Sequence, residues 1–219
     1  MFRNKFYKRN KPGSIFKFWV IAILIMCVQQ NIFCQSFQGG IFGGFVSSQV
    51  SGDQLAGFNK AGLHGGAFIY RDINERWAYY LRMAYIQKGS RTNSQPDKNI
   101  FRSYLLRLHC AEVPLTIVYK TKKRLALEAG LVYARIVATY EGDDTGEFKD
   151  QLPFKKNEVS IQASLDYKLL PNFTIQVLAQ NSLTPIRTNG VKSGIYLGQY
   201  NSILGFNVHY FFAHKQTQQ

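Results

Sequence analysis

The chain has 219 residues, a formal net charge of +14 and three cysteines. Six of the 27 basic residues precede position 18, so the remainder of the chain holds 21 basic and 13 acidic residues, a charge of +8. These 21 are scattered along the chain and do not cluster with aromatic residues on one face, which argues against a nucleic-acid partner.

The first 34 residues predict a secretory signal peptide. A basic segment that ends at Lys17 contains no acidic residue and leads into the apolar run 18–28, which is too short to span a bilayer. Cleavage after Cys34 would leave the domain 35–219, with Cys110 as its only cysteine and therefore no intramolecular disulfide. No later stretch is apolar for long enough to form a transmembrane helix, so membrane residence would require a closed sheet.

Eight segments of alternating side-chain character follow, and each predicts a strand with one apolar and one polar face. In the clearest segment, 158–167, apolar residues occupy every odd position and polar residues every even position. Paired glycines in the first two segments permit the tight curvature of a small barrel. The eight segments are 38–50, 61–73, 77–88, 101–119, 125–133, 158–167, 173–180 and 204–212.

The fourth segment changes the parity of its apolar residues partway along. These residues occupy even positions up to Cys110 and odd positions from Val113 onward. A bulge near Ala111 or Glu112 would restore one continuous apolar face, so we expect a bulge there.

The connections between the segments alternate in length. The long ones are polar and span 51–60, 89–100, 141–156 and 182–199. The short ones span 72–76, 120–124 and 168–172. This alternation is typical of outer-membrane barrels, which have tight periplasmic turns and longer external loops. The sequence therefore predicts an all-β fold, an eight-stranded antiparallel up-and-down transmembrane β-barrel in the outer membrane.

A soluble barrel that encloses a small apolar ligand has the same alternation with the faces exchanged. Aromatic residues at the ends of the segments and a mixture of both charge signs on the polar face favour the membrane barrel. Eight strands leave a lumen filled by side chains, so we expect a structural network of paired charges and no open pore. The predicted network consists of Arg82, Arg107, Glu112 and Glu128.

A lipid-modifying hydrolase is a further alternative, because some outer-membrane barrels catalyse such reactions. It would require a nucleophile, a base and an orienting acid near the outer rim. The histidines are His64, His109, His209 and His214, and no G-x-S-x-G motif accompanies them. We expect His109 and His209 to face the lumen as structural residues. No cluster has metal-ligand spacing, so we expect no catalytic site, metal or cofactor.

Four local motifs, in this order, resemble the PorT-like outer-membrane beta-barrel family. They are Ser48-Gln49-Val50-Ser51-Gly52-Asp53, Gly57-Phe58-Asn59-Lys60-Ala61-Gly62, Gln87-Lys88-Gly89-Ser90 and Glu112-Val113-Pro114-Leu115. The resemblance covers nearly all of the chain after the leader. It implies an outer-membrane barrel, and the family name implies a link to type IX protein secretion or to envelope assembly.

The long connections are the candidate functional sites, because a rigid barrel presents them to partners. The first holds Asp53, Phe58, Asn59 and Lys60, with Phe58 as an apolar anchor between polar flanks; the same residue types also suit an ordinary tight turn. The connection 141–156 has five acidic residues, which could meet a basic partner or a cation. The expected partners are outer-membrane lipid and a protein of the envelope or secretion machinery.

Overall fold

Antiparallel hairpins follow one another along the described chain. The computed structural model describes residues 37–52, 57–93, 103–121, 123–148, 153–187 and 198–212, all within the unit Phe37–Gln219. The predicted signal peptide and its cleavage point lie outside these residues. Within the described ranges, no helix is long and apolar enough to cross a membrane.

Nine strands are present in the described residues, and eight of them are long. The shortest of the eight, β8, has 10 residues, which is enough to cross a bilayer when tilted, whereas β6 has two. The strands are β1 (Gln38–Ser51), β2 (Lys60–Asp72), β3 (Trp77–Thr92), β4 (Tyr104–Lys120), β5 (Leu125–Asp143), β6 (Gly146–Glu147), β7 (Asn157–Leu170), β8 (Phe173–Ser182) and β9 (Tyr200–Phe211).

The eight long strands close into a barrel. Each pairs antiparallel with its neighbours in the chain, β1 pairs with β9, and β4 pairs with β5. Strand β6 folds back on the end of β5 and adds no wall of its own. Closure gives each of the eight long strands a neighbour on both sides, and the predicted eight-stranded antiparallel up-and-down barrel is confirmed.

The two ends of the barrel differ in their connections. The turn end contains three short connections, which span 73–76, 121–124 and 171–172. The first residue of β1 and the last residue of β9 also lie at this end. Side chains shape these turns: Asn74 Oδ1 accepts hydrogen bonds from the backbone N–H groups of Arg76 and Trp77 at 2.9 and 2.8 Å. At the loop end lie the four longer connections.

The facing of the side chains follows the predicted alternation on most strands. Along β7, the even positions from Glu158 to Asp166 are buried in the lumen, while Ile161 and Leu165 are about half exposed on the outer wall. Strands β3, β5 and β9 show the same division. The outer wall is therefore apolar and the lumen is largely polar.

Strand β4 corrects three of the expectations. Its even positions stay buried from Leu106 to Val118, so no bulge at Ala111 or Glu112 reverses its facing. The register shift in the β4–β5 ladder lies instead between His109 and Cys110, where Val137 of β5 has no partner on β4. Arg107 is exposed on the outer wall and is no part of a lumen network, and His109 lies on the same wall.

Candidate functional site

The lumen contains a buried guanidinium–carboxylate pair near the turn end. Arg82 of β3 and Glu128 of β5 meet through two parallel contacts, Nη1 to Oε1 at 2.6 Å and Nη2 to Oε2 at 2.8 Å. Their side chains are 2% and 0% exposed. Because the two planar groups meet edge to edge through paired hydrogen bonds, the contact is both strong and directional. This pairing is the part of the predicted network that the structure brings together.

Neutral polar side chains bind both members of the Arg82–Glu128 pair. Gln176 of β8 donates to Glu128 Oε2 at 3.1 Å, and Arg82 also donates to Thr116 Oγ1 at 3.0 Å. Asn207 of β9 in turn donates to Gln176 Oε1 at 3.0 Å. A layer of hydrogen-bonded side chains thus crosses the lumen from β3 to β9.

A second charged layer centres on Lys88 of β3. Its Nζ lies 2.5 Å from Glu112 Oε1 and 3.2 Å from Glu158 Oε1, and all three side chains are fully buried. Glu158 also accepts hydrogen bonds from Ser160 Oγ at 2.8 Å and Asn201 Nδ2 at 2.9 Å. Glu112 therefore lies in the lumen as predicted, but its partner is Lys88 and not an arginine.

An aromatic layer closes the lumen on the turn side of Arg82. The Arg82 guanidinium carbon lies 4.0 Å from the centre of the Tyr80 ring, a cation–π contact that joins the charged and aromatic layers. The buried Phe42 and Phe68 rings lie 5.2 and 5.4 Å from His209. Gly40 makes room for this layer, since a Cβ there would overlap Phe68 and the Tyr210 carbonyl oxygen.

Apolar side chains occupy much of the lumen toward the loop end. This buried cluster includes Val50, Leu106, Leu108 and Ile203. The lumen therefore contains charged, aromatic and apolar layers, whereas the sequence predicted a polar lumen with a network of paired charges. The even-numbered apolar residues of β4 indicated this arrangement, but we took them to face lipid.

The first long connection is partly described. Phe58 is 37% exposed, as expected of an apolar anchor, and its carbonyl oxygen accepts a hydrogen bond from Ser47 Oγ. The Asn59 N–H donates to Gly57 O at 2.9 Å. Lys60 is only 5% exposed, and its Nζ donates to Ala61 O at 2.6 Å. The expectation of an exposed Lys60 flank is therefore wrong, and Asp53 lies outside the described residues.

Three carboxylates of the acidic connection are bonded within the protein, and Asp150 lies outside the described residues. Glu141 pairs with Arg187, Oε2 to Nη2 at 2.5 Å, and accepts a hydrogen bond from Tyr104 at 2.7 Å. Asp143 accepts from the backbone N–H of Thr145 at 2.8 Å. Asp144 accepts from the backbone N–H of Ser103 at 3.2 Å. These carboxylates shape the loop end and tie separate connections to one another.

A cavity of about 360 Å³ lies at the turn end. The buried Asp166 lines it, with Tyr70 and Phe211, which are partly buried and pack against the aromatic layer, and with Lys120, Arg124 and Lys168 at or beside the turns. The buried Tyr80 of that layer also lines it. No group of three or more His, Cys, Asp or Glu side chains within the described ranges could hold a metal ion.

The described histidines lie in two different surroundings, the lumen and the outer wall. His64 and His209 are buried in the lumen beside Phe42, so the lumen facing predicted for His209 is confirmed. His109 on the outer wall lies 2.5 Å from the Tyr85 hydroxyl, Nδ1 to oxygen. Of the described contacts, none joins a histidine to a serine, threonine or cysteine nucleophile.

Comparison with known proteins identifies the domain. A family model described as "Outer membrane protein beta-barrel domain" matches residues 29–213. No curated protein matches the sequence.

Several solved structures have a similar fold. The attachment invasion locus protein Ail of Yersinia pestis, in complex with the heparin analogue sucrose octasulfate, is 13% identical; the match covers 81% of this chain and 99% of that chain, with a TM-score of 0.48. Neisserial surface protein A is 11% identical over 80% of this chain and 97% of its own, with a TM-score of 0.46. The N-terminal barrel of Pseudomonas aeruginosa OprF is 12% identical over 81% and 100%, with a TM-score of 0.37.

Proposed function

The chain belongs to the outer membrane protein beta-barrel domain family and lies in the outer membrane, and from that premise we propose that it is a sealed barrel with a structural or protein-interaction role. It is neither an enzyme nor a diffusion channel. The barrel holds the loop end rigidly above the membrane, and the connections there meet the partner.

The observation that carries this proposal is the filled lumen. The Arg82–Glu128 pair, the Lys88 cluster and the aromatic layer occupy successive levels, and each is composed of buried side chains. A solute would have to separate buried ion pairs to pass, which is costly because each partner would be left uncompensated. With transport closed, the solvent-accessible ends are where the molecule can act.

The loop end is the better candidate for contact with a partner. By the usual orientation of these barrels, short turns lie in the periplasm and long loops outside. Phe58 is an exposed aromatic residue between Gly57 and Asn59, which are hydrogen-bonded to each other, and exposed aromatic residues are common anchors at protein interfaces. We assign it as the anchor for a protein partner.

The partner class follows from the resemblance noted in the sequence. The motifs at 48–53 and 57–62 resemble those of PorT-like barrels, and the second contains Phe58. We therefore place the partner in type IX protein secretion or in envelope assembly. The motifs support this assignment through their order and their density in the first connection.

The facing of the side chains argues against the soluble-container alternative. A container for an apolar ligand needs an apolar interior and a polar exterior, whereas here Leu131, Ile161 and Phe206 are about half exposed outside and Glu128 is buried inside. The hydrolase alternative gains no support from the described histidines, since His109 contacts Tyr85. We retain neither.

The test is a pair of matched substitutions in the full chain. Phe58→Ser removes the proposed anchor, and Ile73→Ser removes an exposed apolar side chain at the turn end; both variants should fold, since neither residue is buried. We expect Phe58→Ser to impair secretion or envelope integrity and to lose a stoichiometric partner on co-purification in mild detergent. Ile73→Ser should behave like the wild type. Normal behaviour of Phe58→Ser, together with loss of activity in His109→Ala, would restore the enzyme alternative.

A further inference from the structure

The outer wall of β3 and β4 changes its chemistry along the strands. Toward the turn end, Leu81 faces Leu115 across the ladder, and both side chains are exposed and apolar. Further toward the loop end come the pairs Tyr85–Ala111 and Gln87–His109. The last two levels hold Arg107, opposite Gly89, and Arg91, opposite Leu105. The wall therefore passes from apolar through aromatic and polar to cationic within one pair of strands.

This gradient locates the membrane boundary on the wall. Apolar side chains belong in the hydrocarbon, and tyrosines occur in the girdle at the interface. Tyr85 is held in place there, because its hydroxyl contacts His109 Nδ1 at 2.5 Å and accepts a hydrogen bond from Gln87 Nε2 at 3.0 Å. Arg107 lies beyond this group, at the level where lipid headgroups surround the barrel.

Two arginines lie at that level. Arg107 and Arg91 are both exposed on the outer wall, and Arg91 is two residues from Gly89, the ladder partner of Arg107. Within the described parts of the chain, the ion pairs involve other cations, so no carboxylate there pairs with either arginine. Gly89 contributes no side chain beside Arg107, which leaves the guanidinium open toward the surroundings of the barrel. Like charges held together without an acid favour an anion.

We propose that Arg107 and Arg91 form a site for the phosphate of an outer-leaflet glycolipid. The outer leaflet of a Gram-negative outer membrane consists of phosphorylated glycolipids, so the ligand is present at this height. A guanidinium binds phosphate through two parallel hydrogen bonds. The acyl chains of the same lipid would lie along the apolar wall below, over Leu115. The site rests on the orientation given above, with the loop end outside.

The experiment compares full-length protein in phosphatidylcholine vesicles with and without bis-phosphorylated lipid A. We expect lipid A to raise the thermal unfolding temperature, and dephosphorylated lipid A to raise it much less. Arg107→Gln should bind lipid A about tenfold more weakly, because one charge-assisted double contact is lost. Arg107→Lys should recover part of the affinity. The control is Arg124→Gln, an exposed arginine at the turn end, which should bind like the wild type.

Three outcomes would overturn the proposal. Equal binding of lipid A by Arg107→Gln and Arg124→Gln would show that the two arginines are not the site. Equal stabilisation by dephosphorylated lipid A would show that phosphate is not recognised. Equal competition by inorganic phosphate in detergent would identify a free-phosphate site. These results are independent of the partner role, since Phe58→Ser should retain lipid A binding.

Discussion

Neighbouring residues of β7 face opposite surroundings. Gln162 and Asp166 are buried in the lumen, whereas Ile161 and Leu165 stand about half exposed on the outer wall. In a water-soluble protein, charged residues are almost never fully buried and large apolar patches are rarely exposed. The difference between lumen and wall therefore identifies the solvent: hydrocarbon surrounds the strands, and each buried charge must find its partner inside.

The largest expected effect comes from breaking the lumen. Glu128→Gln leaves the Arg82 guanidinium buried without its counter-charge, and the cost of such a loss is about 3 to 5 kcal/mol. Urea unfolding in lipid vesicles should show a decrease in stability of about that size. The double variant Arg82→Met/Glu128→Leu should be more stable than Glu128→Gln. If the double variant were less stable than Glu128→Gln, the ion pair would stabilise the fold by far more than the mutual compensation of its two buried charges.

The membrane position of the outer wall can be tested by introducing an arginine at each of two exposed leucines in separate variants. Leu165 and Leu183 are 46% and 55% exposed, but only Leu165 lies within the apolar band. Leu165→Arg should cost about 2 kcal/mol, because a cation in the hydrocarbon is unfavourable. Leu183→Arg, in the connection at the loop end, should change stability by less than about 0.5 kcal/mol. Similar costs for the two variants in vesicle unfolding would contradict the membrane position of the wall.

Two glycines of β1 give a smaller contrast between lumen and wall. A Cβ at Gly40 would overlap Phe68 in the aromatic layer, whereas a Cβ at Gly43, on the wall, would meet nothing within 4 Å. Gly40→Ala should therefore lower stability by about 1 to 2 kcal/mol through overpacking. Gly43→Ala should leave the unfolding midpoint nearly unchanged. A harmless Gly40→Ala would mean that the aromatic layer is loosely packed.

The smallest effect is expected where an ion pair faces water. Lys120 Nζ lies 2.8 Å from Asp72 Oδ1, with the side chains 29% and 49% exposed. Lys120→Gln should cost less than about 1 kcal/mol, because solvent screens the pair. Added salt should reduce this cost further and leave that of Glu128→Gln almost unchanged. An equal salt dependence of both variants would place water around Glu128.

Strict alternation allowed the sequence to predict the fold and the facing of β7 and β9. It failed on β4, because we assumed that apolar residues always face lipid. Leu106 and Leu108 instead pack inside the lumen. Because side chains alternate along a strand, Arg107 between them faces the outer wall. Alternation assigns two faces but does not say which face an apolar run belongs to when the lumen itself has an apolar layer.

The pairing within the site was harder to predict than its composition. The sequence placed Arg82 and Glu128 on the polar face, and their opposite signs suggested the pair that forms. Lys88 meets Glu158 from a strand 70 residues further along the chain. Such a contact across the lumen depends on the stagger and tilt of the closed sheet, and local spacing carries no information about either.

The central claim, that the barrel is sealed and acts at its ends, is tested most directly by single-channel recording of the purified full-length protein in planar bilayers. The wild type should show no steady unitary current, because buried ion pairs and the aromatic layer fill the lumen. Glu128→Gln should likewise show no current, since Tyr80 and Phe68 remain in place. Large, steady currents from the wild type would show that the lumen is open and identify the protein as a channel.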